Sequence, residues 1–165
     1  MNLRTLWDDL REIPLFIRMA AALRRASDEG RETLGVLVRE QADRIPDRVL
    51  LRFENETLTY AAFNGGVNAF AAVFKQAGIG REPVALMLEN SPTLLMAQAA
   101  VAKIGAIGAL INTHLRGAPL SHVLLASGAR HVFADAECLP HVVALPDAVS
   151  LTVWGEGDPA ALPPH

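Results

Sequence analysis

Residues 84–92 of the chain read VALMLENSP, and this short stretch decides the fold. Its first five residues form a continuous apolar run, which is typical of a β-strand buried on both faces of a sheet. Ser91 is suited to accept a hydrogen bond from a free backbone N–H at the start of a helix, and Pro92 suits the first helical position. The stretch therefore predicts a buried strand that passes directly into a helix.

The alternation of strand and helix continues after this stretch. The periodicity predicts two helices and two further strands, over residues 91–104 and 119–127 and over residues 107–111 and 131–134. Gly105 and Gly128 stand where the two helices must end. Strands that alternate with helices pair in parallel, so we expect an α/β fold with a parallel sheet and flanking helices. Because such strands need cover on both faces, we expect a segment outside this chain to complete the sheet.

A hairpin and two helices precede this alternation. Thr33 is placed to cap a first helix that carries apolar residues on one face. Two short strands are predicted at residues 49–53 and 57–59, with a polar turn between them. A helix over residues 60–76 follows, and we expect the last residue of the second strand to cap it. This helix should end at Gly78, where a left-handed conformation is easily adopted.

Two adjacent glycines, Gly65 and Gly66, lie in the middle of that helix. Together they lower its helix propensity by ~2 kcal/mol relative to alanine, which requires an explanation. A phosphate-binding turn would place its glycines between a strand and a helix. We therefore favour close packing against a neighbouring element.

Residues 3–25 form the first amphipathic segment of the chain, because apolar side chains recur at helical intervals with charged ones on other faces. Their apolar runs are too short for the ~20 residues that cross a bilayer. A helix packed on its own protein is favoured, and one lying in a membrane interface stays open. We divide the chain into an N-terminal helix and linker, a core domain and a flexible tail, at residues 1–30, 31–154 and 155–165. The core domain should end with a short helix and a strand, within residues 138–145 and 150–153.

Composition and charge exclude several classes of function. A net charge of -3 and a pI of about 5.9 provide no field that attracts nucleic acid, so we expect no nucleic-acid partner. Cys138 is the single cysteine, and we interpret it as a small core residue rather than a nucleophile. Residues 3–25 also lack the pattern of a signal peptide. We expect a cytoplasmic protein, with these residues as the candidate for peripheral contact on the inner membrane face.

The polar residues of the core domain predict neither a metal site nor an acid–base pair. Four histidines, at positions 114, 122, 131 and 141, show no metal-ligand spacing. Asp135 and Glu137 follow a predicted strand, and we interpret them as a solvated turn rather than an acid and a base. We therefore name no catalytic residue and no metal ligand.

Several segments carry a family likeness through their serial order. They are DRIPDRV at 43–49 before LTY at 58–60, AGIG at 77–80 before the stretch at 84–92, AKIGA at 102–106, and LINTHLRG at 110–117. In this order the chain resembles the N-terminal part of an AMP-forming acyl-CoA synthetase of the long-chain and very-long-chain, fatty acid transport protein type. The resemblance implies that the sheet is an incomplete N-terminal subdomain of the adenylate-forming enzyme fold.

The resemblance implies an ATP-dependent fatty acid–CoA ligase that forms an acyl-adenylate and then acyl-CoA. ATP, Mg and CoA are implied for the full-length family enzyme, and none is assigned to a site complete within this chain. The family's phosphate loop and catalytic lysine have no counterpart in the sequence, so we expect the chain to be inactive alone. Its implied partners are fatty acid, CoA, and the missing C-terminal part of the synthetase or a self-associating partner. The alternative is a non-catalytic interaction module that binds a partner protein or a membrane surface.

One loop is a candidate for ligand contact. By resemblance, Asn112, Thr113, His114 and Arg116 fall on the CoA side of the enzyme, at the end of a predicted strand. Ligands commonly bind at the carboxyl ends of parallel strands. The other interpretation, which we favour, is a strand-to-helix loop that these residues stabilise by their own hydrogen bonds.

Overall fold

The computed structural model describes residues 33–145 and the backbone of residues 152–155. Its elements are helices α1 (Leu34–Arg44), α2 (Tyr60–Gln76), α3 (Pro92–Ile104), α4 (Gly117–Ser127) and α5 (Leu139–Val143), and strands β1 (Val49–Phe53), β2 (Glu56–Thr59), β3 (Pro83–Met87), β4 (Ile107–Leu110), β5 (His131–Ala134) and β6 (Thr152–Gly155). The predictions for residues 1–30 and 156–165 lie outside the described residues.

Strands β3 to β6 form one parallel sheet in the order β4-β3-β5-β6. Strand β3 lies between β4 and β5, and Leu86 is the Cα partner of Leu110 on one side and of Phe133 on the other. Strands β1 and β2 form a separate antiparallel hairpin. The α/β fold with a parallel sheet and flanking helices is therefore confirmed.

The helix ends follow the local chemistry of the sequence. The N–H of Ala62 donates to the Thr59 hydroxyl at 3.2 Å, and the N–H of Leu94 donates to the Ser91 hydroxyl at 3.2 Å. At the other ends, Gly105 and Gly128 adopt φ values of 80° and 68°, which lie in the left-handed region that favours glycine. These caps position α2, α3 and α4.

The alternation of side chains along β3 builds two cores, one on each face of the sheet. Val84, Leu86 and Leu88 belong to a cluster with α2 and α3, whereas Ala85 and Met87 belong to a cluster with α4 and α5. All five side chains are at most 4% exposed. This double burial is the physical reason for the continuous apolar run that the sequence displays.

The two glycines of α2 differ in their surroundings. A Cβ added to Gly66 would overlap Sδ of Met96 on α3, whereas one added to Gly65 would meet no atom within 4 Å. Close packing is thus confirmed for Gly66 and was wrong for Gly65. Neither glycine forms a strand-to-helix turn, because both lie inside α2.

Some predicted boundaries were wrong by one or two residues. Helix α4 begins at Gly117 rather than at residue 119, and Arg116 at its N-cap makes no side-chain capping bond, so the sequence carries no start signal there. Strand β3 begins at Pro83 and ends at Met87. Strand β6 covers Thr152–Gly155 and so continues two residues beyond the predicted end at residue 153. None of the helices described between residues 33 and 145 has the length and apolar character that a membrane span requires.

Candidate functional site

The carboxyl ends of β3 and β4 open onto a cavity of about 410 Å³, which we call the strand-end cavity. Its lining has an apolar part and a polar part, and we call the polar part the rim. The apolar part consists of Leu86, Leu88, Leu94, Leu110 and Ile111, and the rim consists of Glu89, Asn90, Asn112, Thr113 and His114. Concave sites with an apolar lining and a few polar groups are typical of ligand binding.

Three of the four predicted site residues line this cavity. Asn112, Thr113 and His114 lie on its rim, whereas Arg116 is not among the lining residues. The Arg116 guanidinium instead donates to the backbone carbonyls of Thr113 and Leu115, the latter at 2.7 Å. The Arg116 side chain therefore stabilises its own loop through these hydrogen bonds.

The loop after β4 is held by local hydrogen bonds. The backbone N–H of His114 donates to Oδ1 of Asn112 at 2.9 Å, and the N–H of Leu115 donates to the Asn112 carbonyl at 3.2 Å. This is an Asx-type turn, in which a short polar side chain replaces a backbone acceptor. The loop thus has hydrogen bonds of its own, as the sequence predicts, and Asn112 and His114 remain exposed at the cavity.

Sequence reasoning missed the second wall of the cavity. Glu89 and Asn90 follow β3 and line the rim opposite the loop after β4. They come together with residues 112–114 because β3 and β4 are neighbouring parallel strands whose carboxyl ends meet at one edge of the sheet. The order of the strands was the missing information.

The interpretation of Asp135 as part of a solvated turn was wrong. Its side chain is buried, and its carboxylate accepts a hydrogen bond from the Glu89 N–H through Oδ2 and one from the Cys138 N–H through Oδ1, each at 2.7 Å. Burial raises the pKa of Asp135, but hydrogen bonds from the Glu89 backbone, from the backbone and thiol of Cys138 and from the Glu137 backbone together hold the pKa below its ordinary value. Glu137 is exposed, as predicted. The three-residue spacing from Asp135 to Cys138, which suits a local bond from a backbone N–H to a carboxylate, was the available signal.

Cys138 is a core residue and not an activated nucleophile. Its side chain is 2% exposed. Burial, followed by the hydrogen bond to Asp135 and the charges of Asp135 and Glu89, raises the pKa of the Cys138 thiol to about 12. A nucleophilic cysteine needs a lowered pKa, so the interpretation as a core residue is confirmed. No group of three histidine, cysteine or acidic side chains that could hold a metal occurs among residues 33–145.

Comparison with known proteins identifies the class to which this fold and cavity belong. The family described as AMP-binding enzyme matches residues 38–163. This match covers well over half of the chain, so the chain belongs to the AMP-binding enzyme family.

The relatives include fatty acid–CoA ligases, fatty acid transport proteins and peptide synthases such as Gramicidin S synthase 1 of Brevibacillus brevis. The chain is 34% identical over 134 residues to the medium/long-chain-fatty-acid–CoA ligase FadD6 of Mycobacterium tuberculosis, which covers 81% of the chain and 22% of the ligase. It is 31% identical over 137 residues to human long-chain fatty acid transport protein 1, which covers 81% of the chain and 21% of that protein. The chain therefore spans about a fifth of the length of these curated relatives.

A solved structure agrees with this assignment. The fold is similar to the N-terminal domain of FACL13 from Mycobacterium tuberculosis, with a TM-score of 0.70 and 28% sequence identity, over 79% of the chain and 35% of that domain. The resemblance to the N-terminal part of an adenylate-forming acyl-CoA synthetase is thus confirmed.

Proposed function

We propose that the chain is the N-terminal part of an ATP-dependent long-chain or very-long-chain fatty acid–CoA ligase, inactive alone, whose strand-end cavity contacts CoA. The observation that carries this proposal is the family match together with a polar-rimmed cavity at the carboxyl ends of β3 and β4. In such a ligase ATP and Mg would activate the fatty acid, and the CoA thiol would then displace AMP. The groups that stabilise those charges would come from outside residues 1–165.

The placement of the two lysines supports inactivity of the chain alone. Lys75 and Lys103 are the lysines of the sequence, and they lie in the last turns of α2 and α3. Each helix leads into the amino-terminal end of the following strand, which is the edge of the sheet opposite the cavity. Lys103 also donates to Oδ1 of Asn68. A phosphoryl-transfer site needs positive groups beside the phosphates, and these lysines are remote from the cavity.

The chemistry of the cavity rim supports an uncharged part of CoA as the contact. The Glu89 carboxylate lies on the rim, and Arg116 is bound to its own loop. A carboxylate repels phosphate groups, whereas Asn90, Asn112 and Thr113 offer the donors and acceptors that amide groups require. We propose that the cavity receives the amide-bearing arm of CoA rather than its phosphates.

Two measurements test this proposal. Incubation of the chain with palmitate, ATP, Mg and CoA should yield no acyl-CoA, and formation of acyl-CoA would overturn the inactive-alone part. CoA should raise the Tm, because a ligand at 100 times its Kd stabilises the native state by about 2.7 kcal/mol. His114→Ala should reduce this shift, and His122→Ala, an exposed histidine on α4 outside the cavity, should not. A wild-type chain whose Tm CoA leaves unchanged would overturn the CoA contact.

A second candidate is a non-catalytic interaction module, favoured by the exposed edge of the sheet. Strand β4 lies at one end of the strand order, and its residue Ile107 is 61% exposed. Unpaired edge strands with exposed apolar residues bind other chains. We propose a cytoplasmic location in either case, with residues 3–25 as the candidate for peripheral contact on the inner membrane face. Cosedimentation with anionic vesicles by the full chain, lost on deletion of residues 3–25, tests that contact.

A further inference from the structure

Asp135 lies at the point of the sheet where the chain changes direction. From β3 the chain moves to β4 on one side, and from β5 it moves to β6 on the other side. In open α/β sheets the crevice between two such strands, at their carboxyl ends, is where ligands bind. Here the Asp135 carboxylate spans this crevice, because it follows β5 and accepts the N–H of Glu89 after β3 at 2.7 Å.

The hydrogen bond from the Glu89 N–H to Asp135 fixes a segment that belongs to neither a strand nor a helix. Strand β3 ends at Met87 and α3 begins at Pro92 after its cap, so Glu89 and Asn90 connect the two elements. The N–H of Asp135 donates to the Met87 carbonyl at 3.3 Å, which adds a backbone bond beside the carboxylate bond. Asp135 thus holds the exit of β3 through both its backbone and its side chain.

We infer that Asp135 is a positioning residue for the strand-end cavity: through the N–H of Glu89 it sets the wall formed by Glu89 and Asn90. Asp135 itself does not line the cavity, so it acts on a ligand only through that wall. The inference rests on the proposed function for the identity of the ligand, since the proposal places CoA in this cavity. The claim that Asp135 sets the position of this wall does not depend on which ligand binds.

The two carboxylate oxygens allow positioning of the Glu89 N–H to be separated from stabilisation of the turn that contains Cys138. Oδ1 accepts the Cys138 N–H at the turn into α5, and Oδ2 accepts the Glu89 N–H. The serine hydroxyl lies one bond nearer the backbone than the carboxylate oxygens, so it can accept the Cys138 N–H of the same turn but does not reach the Glu89 N–H, which is 46 residues away in sequence. Asp135→Ser therefore keeps the turn bond to Cys138 and removes the positioning bond. Glu137→Gln, at the exposed acid two residues further on, is the matched control.

The test combines amide hydrogen exchange with CoA titration of the full chain. In Asp135→Ser the Glu89 amide should exchange at least ~10-fold faster than in wild type, and the Kd for CoA should rise by a similar factor. Glu137→Gln should change neither quantity. If Asp135→Ser does not fold, Asp135→Asn takes its place, because its side chain offers a single acceptor oxygen for the two N–H groups.

Each outcome decides the inference. Unchanged exchange at Glu89 in the folded variant overturns the positioning role. Faster exchange with an unchanged Kd for CoA overturns the link between the wall and binding. If wild type does not bind CoA, the proposed CoA contact fails, and the exchange rate of the Glu89 amide alone decides whether Asp135 sets the wall.

Discussion

Burial and nearby negative charge together lower the chemical reactivity of the Cys138 thiol. With its pKa raised to about 12, the thiol is ionised to about one part in ten thousand at pH 8. The thiolate is the form that alkylating reagents attack, and the side chain is 2% exposed. We therefore expect the native chain to resist iodoacetamide at pH 8.

The same reagent should modify one thiol per chain once the protein is unfolded in guanidinium chloride, because Cys138 is the single cysteine. Mass spectrometry of native and unfolded samples measures both states. Complete modification of the native protein at the rate of a free thiol would contradict the prediction.

Asp135 gives the fold a dependence on pH whose sign is set by its lowered pKa. Burial acts to raise that pKa, and the hydrogen bonds from Glu89, Cys138 and Glu137 together lower it by more. A carboxyl with a lower pKa in the folded than in the unfolded state binds fewer protons when folded, so its contribution is present above the unfolded pKa of ~3.9. The contribution is lost as the pH falls from there through the folded value.

We expect Asp135→Asn to lower the free energy of unfolding at pH 7, and the difference from wild type to shrink below pH ~4. Urea unfolding at pH 7, 5, 4 and 3 measures this difference. Glu137→Gln removes an exposed carboxylate from the same turn and should show no such trend. A difference for Asp135→Asn that grows toward low pH would show the opposite sign and contradict the assignment.

At the scale of elements, α2 and α3 meet through one of two adjacent glycines. Gly65 faces open space, so Gly65→Ala should raise the free energy of unfolding by ~1 kcal/mol through helix propensity. Gly66→Ala gains the same propensity but forces the Met96 side chain to move, which costs ~1–3 kcal/mol. Gly66→Ala should therefore be less stable than Gly65→Ala, as urea unfolding of the two variants measures. Equal stabilisation would show that Met96 moves freely.

Elements whose ends depend on local chemistry could be predicted from the sequence. Thr59 and Ser91 cap α2 and α3 as expected, because a cap involves residues three positions apart. The start of α4 was missed because Arg116 makes no side-chain capping bond. Asp135 was missed because its partner Glu89 is 46 residues away and becomes a neighbour only through the pairing of β3 with β5.

At the scale of the whole molecule, one part of the candidate site could be predicted from the local sequence and the other part could not. Residues 112–114 could be predicted as a strand-end loop, because their position follows from the strand before them. Glu89 and Asn90 could not, since their place opposite that loop depends on the order of strands in the sheet. The local sequence therefore predicts one wall of the cavity, and the other wall becomes known only with the order of the strands in the sheet.

The expectation that the sheet needs a further segment leads to a prediction about association. Strand β4 has β3 on one side, and no described strand pairs with its other side. Ile107 on this edge is 61% exposed and carries no charge to deter pairing. A lysine on an edge strand opposes edge-to-edge pairing, since two such charges would face each other.

We expect the chain to associate with itself as its concentration rises, and Ile107→Lys to reduce this association. Sedimentation velocity over a range of concentrations measures the effect. Val143→Lys is the matched control, because Val143 is 66% exposed on α5 and lies away from the β4 edge. Association that Val143→Lys weakens as much as Ile107→Lys would show that general surface charge, rather than the β4 edge, controls it. A wild-type chain that stays monomeric at every concentration would remove the β4 edge as a site of self-association.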